Sequence, residues 1–327
     1  METTQLNVLV VGGAGYIGCV LVRTLLSRGH TVRVYDRCSH DPDGLADVRE
    51  RVHLVVGDML RIDDADVVGV EAVINVGGVS SARVAEADPA RAIEMNVGGA
   101  VRLAEICKRV GARRYLLASS CSVFERVAAD DTGDRLFDEE SPVGPASVYA
   151  RSKHEAELAL GALAGPEFHP VALRLGGVYG FAPRMRFDTL VNKLVRDALV
   201  YKRMVVHARG EEWRPVVAVG DTAEACAACI EAKEGVISRQ LFHVVAENLR
   251  VHEVATRIQK TLAALGIDTE VRVRNAGRSL SGYRVSGAKL ERILGCSLRV
   301  RIEDAVREMC EQVRQGRLTD DWTSGVL

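Results

Sequence analysis

The sequence predicts an α/β fold: a doubly wound parallel sheet with a smaller α/β region toward the C-terminus. Three features of its 327 residues predict it. Short apolar runs alternate with amphipathic stretches of helical length through the first half, the pattern of parallel strands joined by crossover helices. A glycine-rich segment, Gly12-Gly13-Ala14-Gly15-Tyr16-Ile17-Gly18, separates the first run from the first stretch. Beyond about Arg174 the alternation weakens, yet no repeat, linker or low-complexity tract sets a tethered domain apart.

Val8–Val11 is the first strand, and Ile17–Arg28 the helix after it. Thr31–Tyr35, His53–Val56, Ala72–Asn75, Arg114–Ala118 and Val171–Leu175 read as further strands. Ala90–Val110 and Tyr149–Ala164 carry helical periodicity between them. Phe181–Leu199 is a basic loop followed by a helix. Pro215–Val219 and Thr269–Val273 are strand-like; Thr222–Ala232, Val251–Leu265 and Ile302–Gln315 are helix-like. This reading assigns residues 1–175 and 215–248 to the sheet domain. It assigns 176–214 and 249–327 to a second region built onto that sheet.

Composition narrows the function. Formal net charge is −1, so no overall charge points to nucleic acid or an anionic membrane. No apolar run approaches the ~20 residues of a membrane span. The first residues lack the basic start and long apolar core of a signal peptide. Eight cysteines without disulfide-like spacing then imply reduced thiols and a cytoplasmic location. Cys226-Ala227-Ala228-Cys229 has no second pair and sits in an alanine-rich helical stretch. It reads as small buried residues, and no metal site is expected.

The glycine segment lies between a strand and a helix, where a Rossmann-type dinucleotide site requires it. Gly12 permits the tight turn, Gly15 lets backbone approach a pyrophosphate, and Gly18 lets helix pack on strand. The helix start then offers N–H groups and a favourable dipole to phosphate. Asp36 ends the second strand and can accept bonds from a ribose hydroxyl while repelling a 2′-phosphate. That favours NAD over NADP, although Arg37 follows and is suited to such a phosphate; Asp36 also reads as an exposed turn acid. Asp58, after Gly57, is either a partner for the adenine amino group or a helix N-cap. Tyr149-Ala150-Arg151-Ser152-Lys153 places a phenol and an ammonium one turn apart on a helix face. Ser119-Ser120-Cys121-Ser122 ends the fifth strand.

With these pieces in this order, the chain resembles the extended short-chain dehydrogenase/reductase family, especially its nucleotide-sugar epimerases and dehydratases. The carrying segments are Gly12–Gly18, Gly57-Asp58, Asn96–Gly99, Ser119–Phe124, Tyr149–Lys153, Arg174–Gly180, Trp213–Asp221 and Tyr283–Ser286. The resemblance implies a cofactor site of Gly12, Gly15, Tyr16, Ile17, Gly18, Asp36, Arg37, Asp58, Met59, Val76, Gly77, Gly78, Asn96, Tyr149, Lys153, Gly176 and Val178. It also implies a homodimer built on helices Ala90–Val110 and Tyr149–Ala164.

Tyr149, Lys153 and Ser120 form the expected catalytic set. An ordinary tyrosine pKa is about 10, so Lys153 and a positive nicotinamide are expected to favour the phenolate. In the family the catalytic Ser/Thr lies four residues before an aromatic; Phe124 therefore selects Ser120. Dehydratases of the family carry acidic residues where this chain has Cys121 and Ser122, and decarboxylating members have Glu at the Ser122 position. Neither acid is present here. Cys121 lies one residue before the acid/base cysteine of other members and should face the opposite way. Three further departures, Val11, Asn75–Gly78 and Gly177, enlarge or loosen the pocket.

A nucleotide diphosphate sugar needs cations for its diphosphate. Arg184 and Arg186 lie before a helix containing Asn192, and Arg214 follows Trp213. The family's other diphosphate arginine falls at Ser281; either Arg278 substitutes for it or the anion grip is weaker. The expected substrate-binding set is Ser80, Ser122, Arg186, Asn192, Arg214 and Arg278. The leading expectation is an NAD-dependent C4 epimerase working through a keto sugar. A 4-ketoreductase or dehydrogenase with net hydride transfer, and a non-catalytic dinucleotide sensor, stand as alternatives.

Overall fold

The computed structural model describes residues 5–39, 42–129, 135–274 and 282–317. Its strands, in chain order, are β1 (Asn7–Val11), β2 (Thr31–Asp36), β3 (Val52–Val56), β4 (Ala72–Asn75) and β5 (Arg114–Ser120). β6 (Leu136–Phe137), β7 (His169–Leu175), β8 (Gly177–Tyr179), β9 (Arg203–His207) and β10 (Trp213–Ala218) follow. β11 (Leu241–Val244), β12 (Glu247–Arg250), β13 (Glu270–Arg274) and β14 (Arg284–Val285) complete them. Seven strands form a parallel sheet in the order β11-β7-β5-β4-β1-β2-β3. The chain winds outward in one direction from β1 and in the other from β4. The crevice at their C-terminal ends is the switch point where such sheets bind ligands.

Burial explains why these strands are legible as apolar runs. β4 is buried at every residue and β1 at all but its first, because helices cover both faces of a parallel sheet. On one face Leu21, Val22 and Leu25 of helix Tyr16–Ser27 share a core with Ala223, Cys226 and Ile230 of helix Val219–Glu231. On the other, Leu103 and Cys107 of helix Ala100–Val110 meet Ala156 and Leu160 of helix Val148–Leu163. The cysteine pair of the Val219–Glu231 helix is buried in this core, and burial pushes the Cys226 thiol up to about 12. Among the described residues no group of three or more His, Cys, Asp or Glu is placed to hold a metal ion. Among the same residues no helix is long and apolar enough to cross a membrane.

A second core joins helices Leu190–Tyr201, Val251–Ala264 and Ile302–Arg314 to the three-stranded sheet β12-β10-β8. β8 continues from β7 after Gly176 alone, so the main sheet runs directly into this region.

Most boundaries shift by a residue or two from the sequence reading, the short strands β6, β8, β9, β12 and β14 were not read from it, and three further differences have a physical reason. The strand expected at Pro215–Val219 begins earlier, as β10, and pairs with β8 and β12. The helix expected over Ala90–Val110 is broken into Pro89–Ile93, a π-helical turn Glu94–Gly99, and Ala100–Val110. The widened turn lets Asn96 project toward neighbouring backbone instead of along a regular helix face. β11 gave no strand signal because its short apolar run is interrupted by a buried histidine, His243, whose Nδ1 lies 3.2 Å from Ser286 O.

Candidate active site

The glycine turn packs as the motif requires. Gly12 has φ +83°, and a Cβ on it would lie 2.6 Å from Gly77 N. A Cβ on Gly18 would lie 2.1 Å from Gly12 O. Backbone on both sides excludes any larger residue, so the turn is drawn close to the end of β4. Helix Tyr16–Ser27 then starts at Gly15 with no side chain capping it. Its first turn borders a cavity of about 240 Å³, where an anion is favoured.

Gly12, Gly15, Tyr16, Ile17, Gly18, Asp36, Arg37, Met59, Val76, Gly77 and Gly78 all line that cavity. The Asp36 carboxylate accepts bonds from Ala14 N (3.0 Å) and Cys38 N (2.8 Å), which fixes it at the cavity's far end. A second cavity of about 250 Å³ adjoins the first, sharing Tyr16, Ile17, Val76, Gly77, Ser80 and Arg186. Ser120, Tyr149, Lys153, Gly176 and Val178 line the second. A cradle that backbone glycines keep open, an uncapped helix start and a strand-end carboxylate fit a dinucleotide. The catalytic set lines the adjoining cavity.

Within that set the geometry is specific. Lys153 is buried on helix Val148–Leu163 and donates from Nζ to Ala118 O at 2.9 Å. Burial lowers its pKa to about 8, while Glu157 raises it and Arg186 lowers it further. Its Nζ lies 6.0 Å from the centre of the Tyr149 ring. Burial pushes the Tyr149 phenol up, against a hydrogen bond with Ser120 and the charge of Arg186, which pull it down. The groups acting most on Tyr149 from within the chain are therefore Ser120 and Arg186, where the sequence pointed to Lys153. Ser120 Oγ also accepts from Ser122 N (3.2 Å) and Ser122 Oγ (2.9 Å). Cys121 turns away, as expected, although it opens a 3-10 turn (Cys121–Phe124) after β5 and does not lie in an extended segment. Its thiol donates to Arg174 O at 3.3 Å, and burial raises its pKa strongly.

Several expected ligand residues are instead occupied within the fold. Asp58 accepts from Leu60 N (3.0 Å) and pairs with Arg91 (3.1 Å), so it caps the short turn after β3, the second of its two readings. Asn96 holds the loop after β4, bonding Val79 N (2.8 Å), Val79 O (2.9 Å) and Ser152 Oγ (2.9 Å). Asn192 is fully buried and binds Gly180 N, Tyr16 Oη and Arg186 O at 2.9–3.0 Å. Ser122 lies beneath Ser120 and does not line either cavity. Ser80, Arg186 and Arg214 do line the second cavity. Arg186 is paired with Asp188 (2.6 and 3.0 Å) and donates to Ser80 O (2.8 Å). Arg278 lies outside the described residues.

One cation named from sequence takes a place of its own, and one further feature was not singled out from sequence. Arg184 lines the first cavity only. Behind Ser120 lies a buried ion pair: Arg174 donates from Nε and Nη2 to Glu157 at 3.0, 3.2 and 2.7 Å, and Ser119 Oγ donates to the same carboxylate. A carboxylate one turn past Lys153 on the same helix face is a signal that could have found it.

Residues 8–244 match the family model described as the NAD dependent epimerase/dehydratase family. A UDP-glucuronic acid decarboxylase of Arabidopsis thaliana is 28% identical over 235 residues, 69% of this chain; the chain spans only 52% of that relative's length. A UDP-glucose 4-epimerase of Neisseria meningitidis is 25% identical over 308 residues, 83% of this chain and 86% of the relative. The solved UDP-glucose 4-epimerase of Thermotoga maritima superposes with a TM-score of 0.82 at 20% identity, over 95% of this chain and 99% of that one. That likeness concerns the fold. With the glycine turn, the switch-point crevice and the Ser120/Tyr149/Lys153 set in place, the chain belongs to the NAD-dependent epimerase/dehydratase family.

Proposed function

We propose that the protein is a nucleotide-sugar epimerase, most simply at C4, that oxidises a ring carbinol and reduces the resulting ketone on its other face. One observation carries the reading: Ser120, Tyr149 and Lys153 line the second cavity together, and among the described residues no carboxylate lines it. Elimination of water or loss of CO₂ needs a further acid or base at the sugar. Cys121, the nearest reactive candidate, points away.

Bound NAD supplies a two-electron carrier for the carbinol hydrogen and a positive ring. The chain's own residues move the proton. Tyr149 Oη takes it from the sugar hydroxyl, with Ser120 bonding the reacting oxygen, and later returns it. Lys153 holds the strand end through Ala118 O and adds positive charge. Arg186 and Arg214 border the second cavity as cations for the diphosphate. Gly176 and Gly177 leave its wall without side chains, giving the ketone room to present its other face.

The purified protein should be tested against UDP-, GDP-, CDP- and dTDP-sugars without added NAD. The expected result is an epimeric product and no accumulation of NADH. Stoichiometric NADH would instead identify a net dehydrogenase, and absence of hydrogen exchange with every sugar a dinucleotide sensor.

A pH effect follows from Lys153. Its pKa of about 8 means that the cation is lost as pH rises through 8. The profile of kcat/KM should therefore fall above about pH 8. The linked stability runs the other way: unfolded lysine titrates near ~10.4, so between the two values the unfolded chain binds the extra proton. Folding gains stability as pH rises through that window. A kcat/KM profile level through pH 9 would remove Lys153 from this role.

A further inference from the structure

The first cavity has a cation on its wall that comes from the other half of the molecule. Arg184 belongs to the loop between β8 and helix Leu190–Tyr201. That loop lies beside the start of helix Tyr16–Ser27, where the Arg184 backbone and charge pull the Cys19 thiol pKa down against its burial. A Cβ on Gly44 would lie 3.2 Å from Arg184 Cβ and 3.5 Å from Ala14 O. Arg184 therefore borders the cavity beside the glycine turn and Asp36.

Its chemistry is incomplete. Among the described residues the Arg184 guanidinium makes no ion pair and no hydrogen bond. Arg186, two residues on, is held by Asp188 and Ser80 O. Burial pulls the Arg184 pKa down, and the more distant charge of Asp36 only partly offsets this. A half-buried guanidinium without an acceptor is costly until an anion arrives, and phosphate oxygens match its planar donors. Two phosphate positions exist on a dinucleotide. The Asp36 carboxylate disfavours one at the 2′ hydroxyl, while the uncapped helix start on the same cavity favours the pyrophosphate.

We propose that Arg184 is a ligand for the pyrophosphate of the bound dinucleotide, supplied by the substrate-side loop. This rests on the cavity being the dinucleotide site. The loop then touches both ligands' cavities, Arg184 the first and Arg186 both. Cofactor release requires this loop to let go, which suits an enzyme that keeps its cofactor between turnovers.

The test is calorimetric titration of the nucleotide-stripped 327-residue chain with NAD, ADP-ribose and NADP. Wild type, Arg184→Met, Arg184→Lys and a surface control, Arg307→Met, are compared. Arg184→Met should raise Kd for NAD and ADP-ribose together by about 10- to 100-fold, the scale of a lost charge-assisted bond. Arg184→Lys should recover part of that loss, and Arg307→Met should match wild type. Unchanged NAD affinity in Arg184→Met, or a loss confined to NADP, overturns the proposal. Failure of wild type to bind NAD or ADP-ribose overturns the dinucleotide reading and the proposal with it.

Discussion

Tyr149→Phe is expected to lower turnover by about 10²- to 10⁴-fold, the range for a lost acid–base group. The substitution removes one oxygen and little else. The ring position beside Lys153 persists, and Tyr149 O still accepts from Ser152 Oγ at 2.9 Å, because that contact is made by backbone. Helix Val148–Leu163 keeps its Ser147 cap, so the fold should be unaffected. The loss is therefore expected in kcat, with KM for the sugar and Kd for NAD close to wild type. Steady-state kinetics on the active nucleotide sugar, with an NAD titration of the same preparation, separates these quantities. Near-normal kcat would remove Tyr149 from the proton path and with it the proposed mechanism.

The parts legible from sequence are those where one physical demand admits few residues. Gly12 and Gly18 face backbone at 2.6 and 2.1 Å, so only glycine serves, and their spacing could be read directly. β1 and β4 are covered on both faces and must be apolar throughout. Tyr149 and Lys153 share a helix face by periodicity alone. The polar residues are different, because an amide or carboxylate serves a ligand and a backbone equally well. Asn192 bonds Tyr16 Oη across 176 residues of sequence, a partner that no local pattern announces. Asp58 and Asn96 follow the same logic, spending their oxygens on Leu60 N and Val79 N. Arg184 and Arg186 stand two apart in an irregular loop, where no period assigns a direction, and the fold gives only Arg186 access to both cavities. The Arg174–Glu157 pair joins a strand to a helix and depends on the register of β5 and β7.

That pair carries the largest expected effect on stability. Arg174 and Glu157 side chains are 5% and 8% exposed. Arg174→Met should cost about 3–5 kcal/mol, because it strands a buried carboxylate, and should lower Tm by roughly 4–7 °C. Burial alone would raise the Glu157 pKa, but bonds from His154, Arg174 and Ser119 hold it below its ordinary value. A depressed carboxylate stabilises the fold above its unfolded pKa, and that stability is lost as pH falls through the folded value. The Arg174→Met deficit should therefore be greatest near neutral pH and shrink as the solution is acidified toward pH ~4, where Glu157 takes up a proton. Adding Glu157→Gln removes the stranded charge and should recover part of the loss, giving a coupling energy between the two sites. The effect reaches the active site through Ser119, which bonds Glu157 and precedes Ser120, and through Ala118 O, which holds Lys153. Denaturant unfolding of the two single variants and the double variant, at pH 7 and pH 4.5, measures every term. If Arg174→Met loses equal stability at both pH values, the cost lies in lost packing against Phe124, whose ring centre is 5.5 Å from the guanidinium, and not in the stranded charge.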